Sequence, residues 1–112
     1  MTATTGTYHS SSDWPAVEAA PGVERRVLAC GDQIMIVQFT IQKDAEVPAH
    51  THPHEQVGFV VSGRVNMRIG DETREIGPGE GYAVPGGVVH GATGITEAVV
   101  ADSFHPVRDD YR

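Results

Sequence analysis

Short runs of alternating apolar and polar residues, separated by turn residues, recur along the chain from Val27 onward. The clearest run spans Ile34 to Gln42, where every second residue is apolar, namely Met35, Val37, Phe39 and Ile41. A period of two is that of a β-strand with one buried face. The alternation recurs in two later runs, whose apolar positions are Val57, Phe59 and Val61, and Val65, Met67 and Ile69. We expect half-buried antiparallel strands there, with these residues facing the core.

Turn residues follow each run closely and leave little room for helix. The turn signals are Gly31-Asp32, Lys43-Asp44, Ser62-Gly63, Gly70-Asp71, Gly77-Pro78-Gly79, Pro85-Gly86-Gly87 and Thr93-Gly94. Only Trp14 to Ala20 could hold a helical turn, and Pro15 and Pro21 confine it. About eight or nine strands joined by tight turns predict an all-β fold, a small jelly-roll barrel or double-stranded β-helix.

The length of 112 residues predicts one domain that buries its own core. Residues 1–12, rich in Thr and Ser, are expected to form a disordered leader, and residues 13–112 the single domain. Trp14-Pro15 is the first plausible anchor.

The charge and cysteine counts exclude several classes of function. Eight basic against fifteen acidic residues give a net charge of −7, which argues against binding to nucleic acid or anionic membranes. Cys30 is the only cysteine, so the chain can form no intrachain disulfide. No run approaches the roughly 20 apolar residues of a membrane span, and no basic residue precedes an apolar stretch at the N-terminus. We therefore expect a cytoplasmic protein.

Three of the six histidines fall within residues 50–54. His50 and His52 are two residues apart, so on a strand both side chains would point into one cavity. Gln56 opens the next apolar run and can face the same cavity, and His90 arrives from a separate hairpin. A lone histidine would be read as a surface or hydrogen-bonded residue, but the set of His50, His52, Gln56 and His90 predicts a metal site.

Neutral imidazoles and an amide oxygen suit one divalent ion such as Zn, Ni, Fe or Mn. These neutral ligands leave the charge of the ion uncompensated, so it would act as a strong Lewis acid and attract an anionic small molecule. His54 is expected to support the site or face solvent.

The last strand and the residues just after it carry three further candidates. Asp102 shares its parity with Val100 and Phe104, so it could lie inside the barrel with a raised pKa and exchange protons. The alternative is that it faces solvent or caps a turn. Arg108 could clamp a carboxylate or pair with Asp109 or Asp110, and Phe104 could be a core residue or the wall of a sugar pocket.

The histidine motifs resemble the two motifs of the cupins. The first reads His50-x-His52-x3-Gln56-x6-Gly63, and the second reads Gly79-x5-Pro85-x-Gly87-x2-His90. The chain departs from the general pattern at Asp44 for glycine, Gln56 for glutamate and Gly94 for asparagine. The glutamine weakens any transfer of oxygenase chemistry from cupins that use the glutamate.

From about Trp14 onward the chain resembles the pectin-degradation cupins more closely. The resemblance lies in the segments 22–29, 50–57, 61–63 and 102–111, and glutamine is the usual fourth ligand in that family. It implies an isomerase that converts 4,5-unsaturated uronates from pectin or alginate breakdown to the open-chain keto form. It also implies catalytic roles for Asp102, Phe104 and Arg108. His105 departs from the small residue that this family more often has there.

Three other functions stay open at this point. They are a dioxygenase-type cupin, a non-catalytic sugar-binding or sensory module, and a polyketide cyclase. Cupins of this size commonly pair through sheet edges, which leads us to expect a homodimer.

Overall fold

The computed structural model describes residues 5–112, and its regular structure is almost entirely strand. The ten strands of this part are β1 (Val17–Ala20), β2 (Val23–Cys30), β3 (Met35–Ile41), β4 (Glu46–His50), β5 (Glu55–Ser62), β6 (Val65–Ile69), β7 (Glu72–Ile76), β8 (Gly81–Val84), β9 (His90–Gly94) and β10 (Ala98–His105). A single 3-10 turn, Asp109–Tyr111, follows β10. The all-β prediction is confirmed, with a strand or two more than expected.

The strands form two antiparallel sheets. The larger sheet has the order β1-β2-β3-β10-β5-β8, and the smaller has the order β4-β9-β6-β7. Apolar side chains from both sheets meet in one core, which includes Val23, Val27, Met35, Val37, Ile41, Val60, Val65, Val100 and Phe104. This double-sheet arrangement is the expected jelly roll.

The burial pattern of β3 and β6 follows the alternation in the sequence. In β3 the apolar residues at alternate positions are buried, and in β6 Val65 and Met67 are buried while Asn66 and Arg68 are exposed. Tertiary packing therefore agrees with local pattern in these two strands.

Strand β5 has the opposite parity from the one that its apolar residues suggest. Val57, Phe59 and Val61 are 45%, 46% and 49% exposed, whereas Gln56 and Val60 are buried. The expectation that the first three face the core is wrong. The physical reason is that β5 pairs with β10 on one side and β8 on the other, with a register that turns Gln56 and Gly58 inward.

The N-terminal part also differs from expectation. Val17–Ala20 is a strand rather than a helical turn, because it pairs antiparallel with β2, with Val17 opposite Arg25. Trp14 packs against the core, and the Arg26 guanidinium donates to the carbonyls of Ser11 and Trp14. Residues 1–4 of the predicted leader lie outside the described residues, and the leader and domain boundary stay predictions. Within residues 5–112, no helix has the length and apolar character needed to cross a membrane.

Candidate metal centre and active site

Three histidines meet between the two sheets. His50 ends β4 and His90 begins β9, and the two residues are direct partners in the smaller sheet. Their ring centroids lie 4.4 Å apart, and the His52 ring lies 4.7 Å from that of His90. One potential ligand atom from each of the three lies within 4.8 Å of the others. The spacing of His50 and His52 and the turn before His90 thus bring together the residues that the sequence singled out.

Backbone carbonyls select the tautomer of each ring. The Nδ1 atoms of the three histidines lie 2.8, 3.1 and 2.9 Å from the carbonyl oxygens of Pro48, His54 and Val88, in the order His50, His52, His90. A carbonyl oxygen only accepts, so each Nδ1 carries the proton and each Nε2 keeps a lone pair. Within residues 5–112, Nε2 of His90 is buried without a hydrogen-bond partner. A metal ion is the usual acceptor of such a lone pair.

Burial keeps two of these imidazoles neutral. Desolvation lowers the pKa of His52, and the nearby charges of Arg108 and His90 lower it further. Desolvation is also the main cause of the lowered pKa of His90. Because only a neutral imidazole can coordinate a metal, both shifts favour ligation at neutral pH.

Gln56 reaches this cluster from the larger sheet. Its Oε1 lies 3.1 Å from Nε2 of His52, while its amide group donates a hydrogen bond to the Asp102 carboxylate. With Nδ1 of His52 protonated, two acceptors face each other, an arrangement that a cation between them would stabilise. Three imidazole nitrogens and one amide oxygen therefore fit a divalent metal ion.

Asp102 lies in a row of three residues that crosses the larger sheet. It pairs with Gly58 on β5, and Gly58 in turn pairs with Tyr82 on β8. Because Gly58 has no side chain, Tyr82 reaches across it and donates a hydrogen bond from its hydroxyl to Oδ1 of Asp102 at 2.5 Å. A Cβ on Gly58 would lie only 1.9 Å from that same oxygen. The Asp102 carboxyl group can therefore occupy this position only because residue 58 is glycine.

The Asp102 carboxyl is inside the barrel, which is one of the two positions that the parity of β10 left open. Its exposed fraction is 3%, and burial raises its pKa to about 7, although the hydrogen bonds from Tyr82 and Gln56 act in the opposite direction. A carboxyl group with this pKa holds both protonation states near neutral pH and can act as acid or base.

Phe104 and Arg108 lie on the same side of the cavity. Phe104 is 1% exposed, contacts the His52 ring at 5.7 Å between centroids, and is both a core residue and part of the cavity wall. The Arg108 guanidinium forms an ion pair with Asp110, as one sequence interpretation held, yet its Nη1 is buried and has no partner among residues 5–112. Arg108 therefore keeps a donor for a ligand.

One cavity of about 300 Å³ is lined by His50, Gln56, His90, Asp102, Phe104 and Arg108. The volume is at the lower end of the range for small-molecule sites, about 300–1,000 Å³. Three polar or charged lining residues were not singled out as site residues by the sequence: Arg25, Tyr82 and Tyr111. Arg25 belongs to the segment 22–29 that resembles the pectin-degradation cupins, which was its only signal. Tyr111 carried the same kind of signal, since it ends the segment 102–111, and Tyr82 carried none.

The remaining histidines lie outside the ligand group. The backbone carbonyl of His54 accepts the hydrogen bond from Nδ1 of His52, whereas the side-chain Nδ1 of His54 is buried without a hydrogen-bond partner among residues 5–112. His105 is exposed and is not among the residues that line the cavity, and His9 stacks on Trp14.

Comparison with known proteins matches residues 37–102 to the Cupin domain model. The chain is 28% identical over 106 residues to the pectin degradation protein KdgF of Dickeya dadantii (strain 3937), covering 93% of this chain and 96% of that protein. The structure of KdgF from Halomonas sp. is 30% identical, with a TM-score of 0.87 over 95% of this chain and 98% of that one. The H2HPP isomerase of Bacillus subtilis is 33% identical over 85 residues, which cover 75% of this chain but 36% of that protein. The chain therefore belongs to the cupin family, and within it is similar to the pectin degradation protein KdgF.

Proposed function

We propose that this cupin is a metal-dependent isomerase that converts 4,5-unsaturated uronate monosaccharides, released from pectin or alginate, to their open-chain keto form. The observation that carries the proposal is the buried Asp102 carboxyl, held between Tyr82 and Gln56 in the same cavity as the unpaired Nη1 of Arg108. The similarity to proteins named for pectin degradation, and to an isomerase, supports the choice of substrate class and reaction.

One divalent ion would be held by His50, His52, His90 and Gln56, with Zn, Ni, Fe and Mn all compatible with these ligands. When bound, it would supply Lewis-acid polarisation of a substrate oxygen. No redox chemistry is required, because the reaction only moves protons and opens a carbon–oxygen bond.

Asp102 is proposed to move both protons. Its carboxylate removes the proton from the anomeric hydroxyl, the C1–O1 bond becomes a carbonyl, and the bond from C1 to the ring oxygen breaks. The ring oxygen leaves as the enolate oxygen on C5, and the protonated carboxyl then delivers the proton to C4, which gives the ketone. A pKa of about 7 suits a group that must accept a proton and return it in one cycle.

Arg108 and Phe104 are proposed to position the sugar. The unpaired Nη1 of Arg108 would bind the substrate's carboxylate with a charge-assisted hydrogen bond, and the Phe104 ring would form the apolar wall beside it. The cavity volume of about 300 Å³ suits a monosaccharide rather than a polymer chain.

A homodimer is proposed as the working assembly. The exposed row of Val57, Phe59 and Val61 lies on β5, beside the edge strand β8, and would be covered by a second copy of the chain. A cytoplasmic location stays a prediction.

The test is the loss of ultraviolet absorbance of a 4,5-unsaturated galacturonate monomer with metal-loaded protein. We expect decay well above the spontaneous rate, abolished by a chelator and by Asp102→Asn. The control is Asp71→Asn, which changes an exposed aspartate in the β6–β7 turn and should leave the rate unchanged. Decay equal to the background rate would overturn the proposal.

The same assay separates the other cupin functions. A dioxygenase-type cupin needs air and a redox metal, so full activity of the zinc-loaded protein without oxygen would exclude it. A sugar-binding or sensory module would bind the uronate without any absorbance loss. A polyketide cyclase would neither bind nor convert it.

A further inference from the structure

Arg25 is a second cation in the cavity, besides Arg108. It lies on β2, at the opposite end of the chain from Arg108, and lines the same cavity. Its guanidinium carbon lies 4.2 Å from the centre of the Tyr111 ring. The guanidinium carbon of Arg108 lies 4.1 Å from the centre of that same ring. Two positively charged guanidinium groups therefore contact the same aromatic ring.

The charges around these arginines are unbalanced. Arg108 has Asp110 as a partner through its Nε and Nη2, whereas Arg25 forms no ion pair within residues 5–112. Among the described lining residues, the only acid is Asp102, which is buried and hydrogen-bonded to Tyr82 and Gln56. Two neighbouring guanidiniums repel each other in a partly dehydrated cavity, and an anion placed near both would relieve that repulsion.

Tyr111 holds the two guanidiniums in place. Its ring packs edge-on against Phe104 at 5.7 Å and Phe39 at 6.4 Å between centroids, so the aromatic surface is fixed to the core. Arginine stacks well on such a surface while leaving its in-plane N–H groups free to donate. The stacking therefore positions both side chains and leaves donors for a ligand.

We propose that Arg25 binds the substrate's carboxylate together with Arg108, and that this pair on Tyr111 selects acidic sugars over neutral sugars of the same size. The inference rests on the proposed function for the identity of the sugar. The anion site itself rests on the cavity. Arg25 is a binding residue here, and Tyr111 is a positioning residue.

The experiment measures binding and turnover separately. Binding of saturated galacturonate and of neutral galactose to the metal-loaded protein is measured by calorimetry, and KM and kcat with the unsaturated uronate. The variants are Arg25→Gln, Arg25→Lys and Arg108→Gln. The matched control is Arg74→Gln, an exposed arginine on β7 whose partner is Glu72.

We expect Arg25→Gln to weaken galacturonate binding and raise KM by about tenfold or more, the effect of losing one charged hydrogen bond. The value of kcat and the affinity for galactose should change little. Arg25→Lys keeps the charge but loses the planar fork, so it should lose less affinity than Arg25→Gln. Metal content and thermal melting verify that each variant is folded.

Two outcomes overturn the inference. One is galacturonate affinity in Arg25→Gln and Arg25→Lys within about twofold of the unaltered protein. The other is an equal loss of galactose and galacturonate binding, which would mean a merely structural role. If galacturonate binds through Arg25 but the unsaturated uronate is never converted, the proposed function fails and the anion site stands. If Arg25→Gln converts the unsaturated uronate with unchanged KM and kcat, the anion site fails and the proposed function stands.

Discussion

The hydroxyl of Tyr82 lies 2.5 Å from Oδ1 of Asp102, although an entire strand, β5, lies between the strands that carry the two residues. The contact is possible because the residue between them in the row is Gly58. On the other side, Gln56 donates to the same carboxyl group. The candidate acid–base group is therefore held from both neighbouring positions by neutral donors.

Removing the Tyr82 hydroxyl should shift the pH dependence of turnover. The hydrogen bond from Tyr82 lowers the pKa of Asp102, so Tyr82→Phe should raise that pKa and move the acidic limb of the kcat/KM profile to higher pH. Loss of a hydrogen bond to a charged group, worth about 1.5–3 kcal/mol, should lower kcat/KM about tenfold or more below pH 7. The control is Tyr8→Phe at a fully exposed tyrosine. An unshifted profile in Tyr82→Phe would contradict this role.

Adding one methyl group at Gly58 should displace the Asp102 carboxyl. The new Cβ would lie 1.9 Å from Oδ1 of Asp102 and 2.7 Å from the carbonyl oxygen of Ala101, and backbone cannot yield as a flexible side chain can. We expect Gly58→Ala to abolish turnover and to destabilise the fold by about 1–3 kcal/mol, the usual cost of overpacking. Gly6→Ala, where nothing lies within 4 Å, is the control in the same assays. Normal activity in Gly58→Ala would mean that Asp102 need not occupy this position.

Asp102 should make the metal-free protein less stable as the pH rises. Its folded pKa of about 7 exceeds the ordinary value of 3.8, so between these values the folded state binds more protons than the unfolded state. The free energy of unfolding that the protonated Asp102 carboxyl contributes is therefore lost between about pH 4 and about pH 7. Above about pH 7 this contribution no longer changes with pH. The lowered pKa values of His52 and His90 act oppositely, since protonation of the histidines favours unfolding below about pH 6.5.

Asp102→Asn removes the contribution of the carboxyl group to the pH dependence of stability and leaves that of the histidines. With chelator present, the unfolding free energy of this variant relative to the unaltered protein should rise by about 2–3 kcal/mol from pH 5 to pH 8. Denaturant titrations at the two pH values measure this difference, with Asp71→Asn as the control. Parallel pH profiles for Asp102→Asn and the unaltered protein would show that the carboxyl does not titrate with a raised pKa.

Local pattern predicted the fold and the shared direction of His50 and His52 because both depend on short-range periodicity, whereas His90 was joined to them by the motif spacing that resembles the cupins. The alternation in β3 and the spacing of His50 and His52 each describe which side chains share a face, and neither requires knowledge of a partner strand. The position of Asp102 was an open question from parity alone, and the structure places it inside the barrel.

Contacts that depend on the register between distant strands could not be predicted in this way. Tyr82 and Asp102 are brought together only by the pairing of β8, β5 and β10, and Arg25 meets Tyr111 from the other end of the chain. The apolar residues of β5 predict the wrong parity because two of its inward positions, Gln56 and Gly58, serve the site rather than the apolar core. Functional positions are where a hydrophobic pattern is expected to mislead.

A charge on the exposed face of β5 should break the proposed homodimer. Phe59 is 46% exposed at the centre of the row formed with Val57 and Val61, so Phe59→Asp would place a carboxylate in the contact between two copies. We expect light scattering to change from a dimer mass to a monomer mass. The control is Ile34→Asp, at an apolar residue of 53% exposure outside this row. A monomer mass for the unaltered protein would contradict the proposed homodimer.

Gln56 contacts both the histidine cluster and the Asp102 carboxyl group. An amide can offer its oxygen to the metal cluster while its N–H group donates to Asp102, and the two contacts of Gln56 are of this kind. A glutamate, the usual residue in cupins, has no N–H group and would bring a second negative charge beside Asp102. Like charges raise each other's pKa, and a carboxylate compensates a divalent ion better than an amide does.

Gln56→Glu should therefore improve metal binding and impair turnover together. Calorimetric titration with zinc should give a lower Kd than for the unaltered protein, while kcat falls and the acidic limb of the pH profile moves to higher pH. Gln56→Ala separates the two effects, because it lacks both the ligand atom and the donor and should bind zinc more weakly. If Gln56→Glu gained affinity and kept full activity at unchanged pH, the amide would not be what links the metal cluster to the acid–base group, and the two parts of the site would act independently.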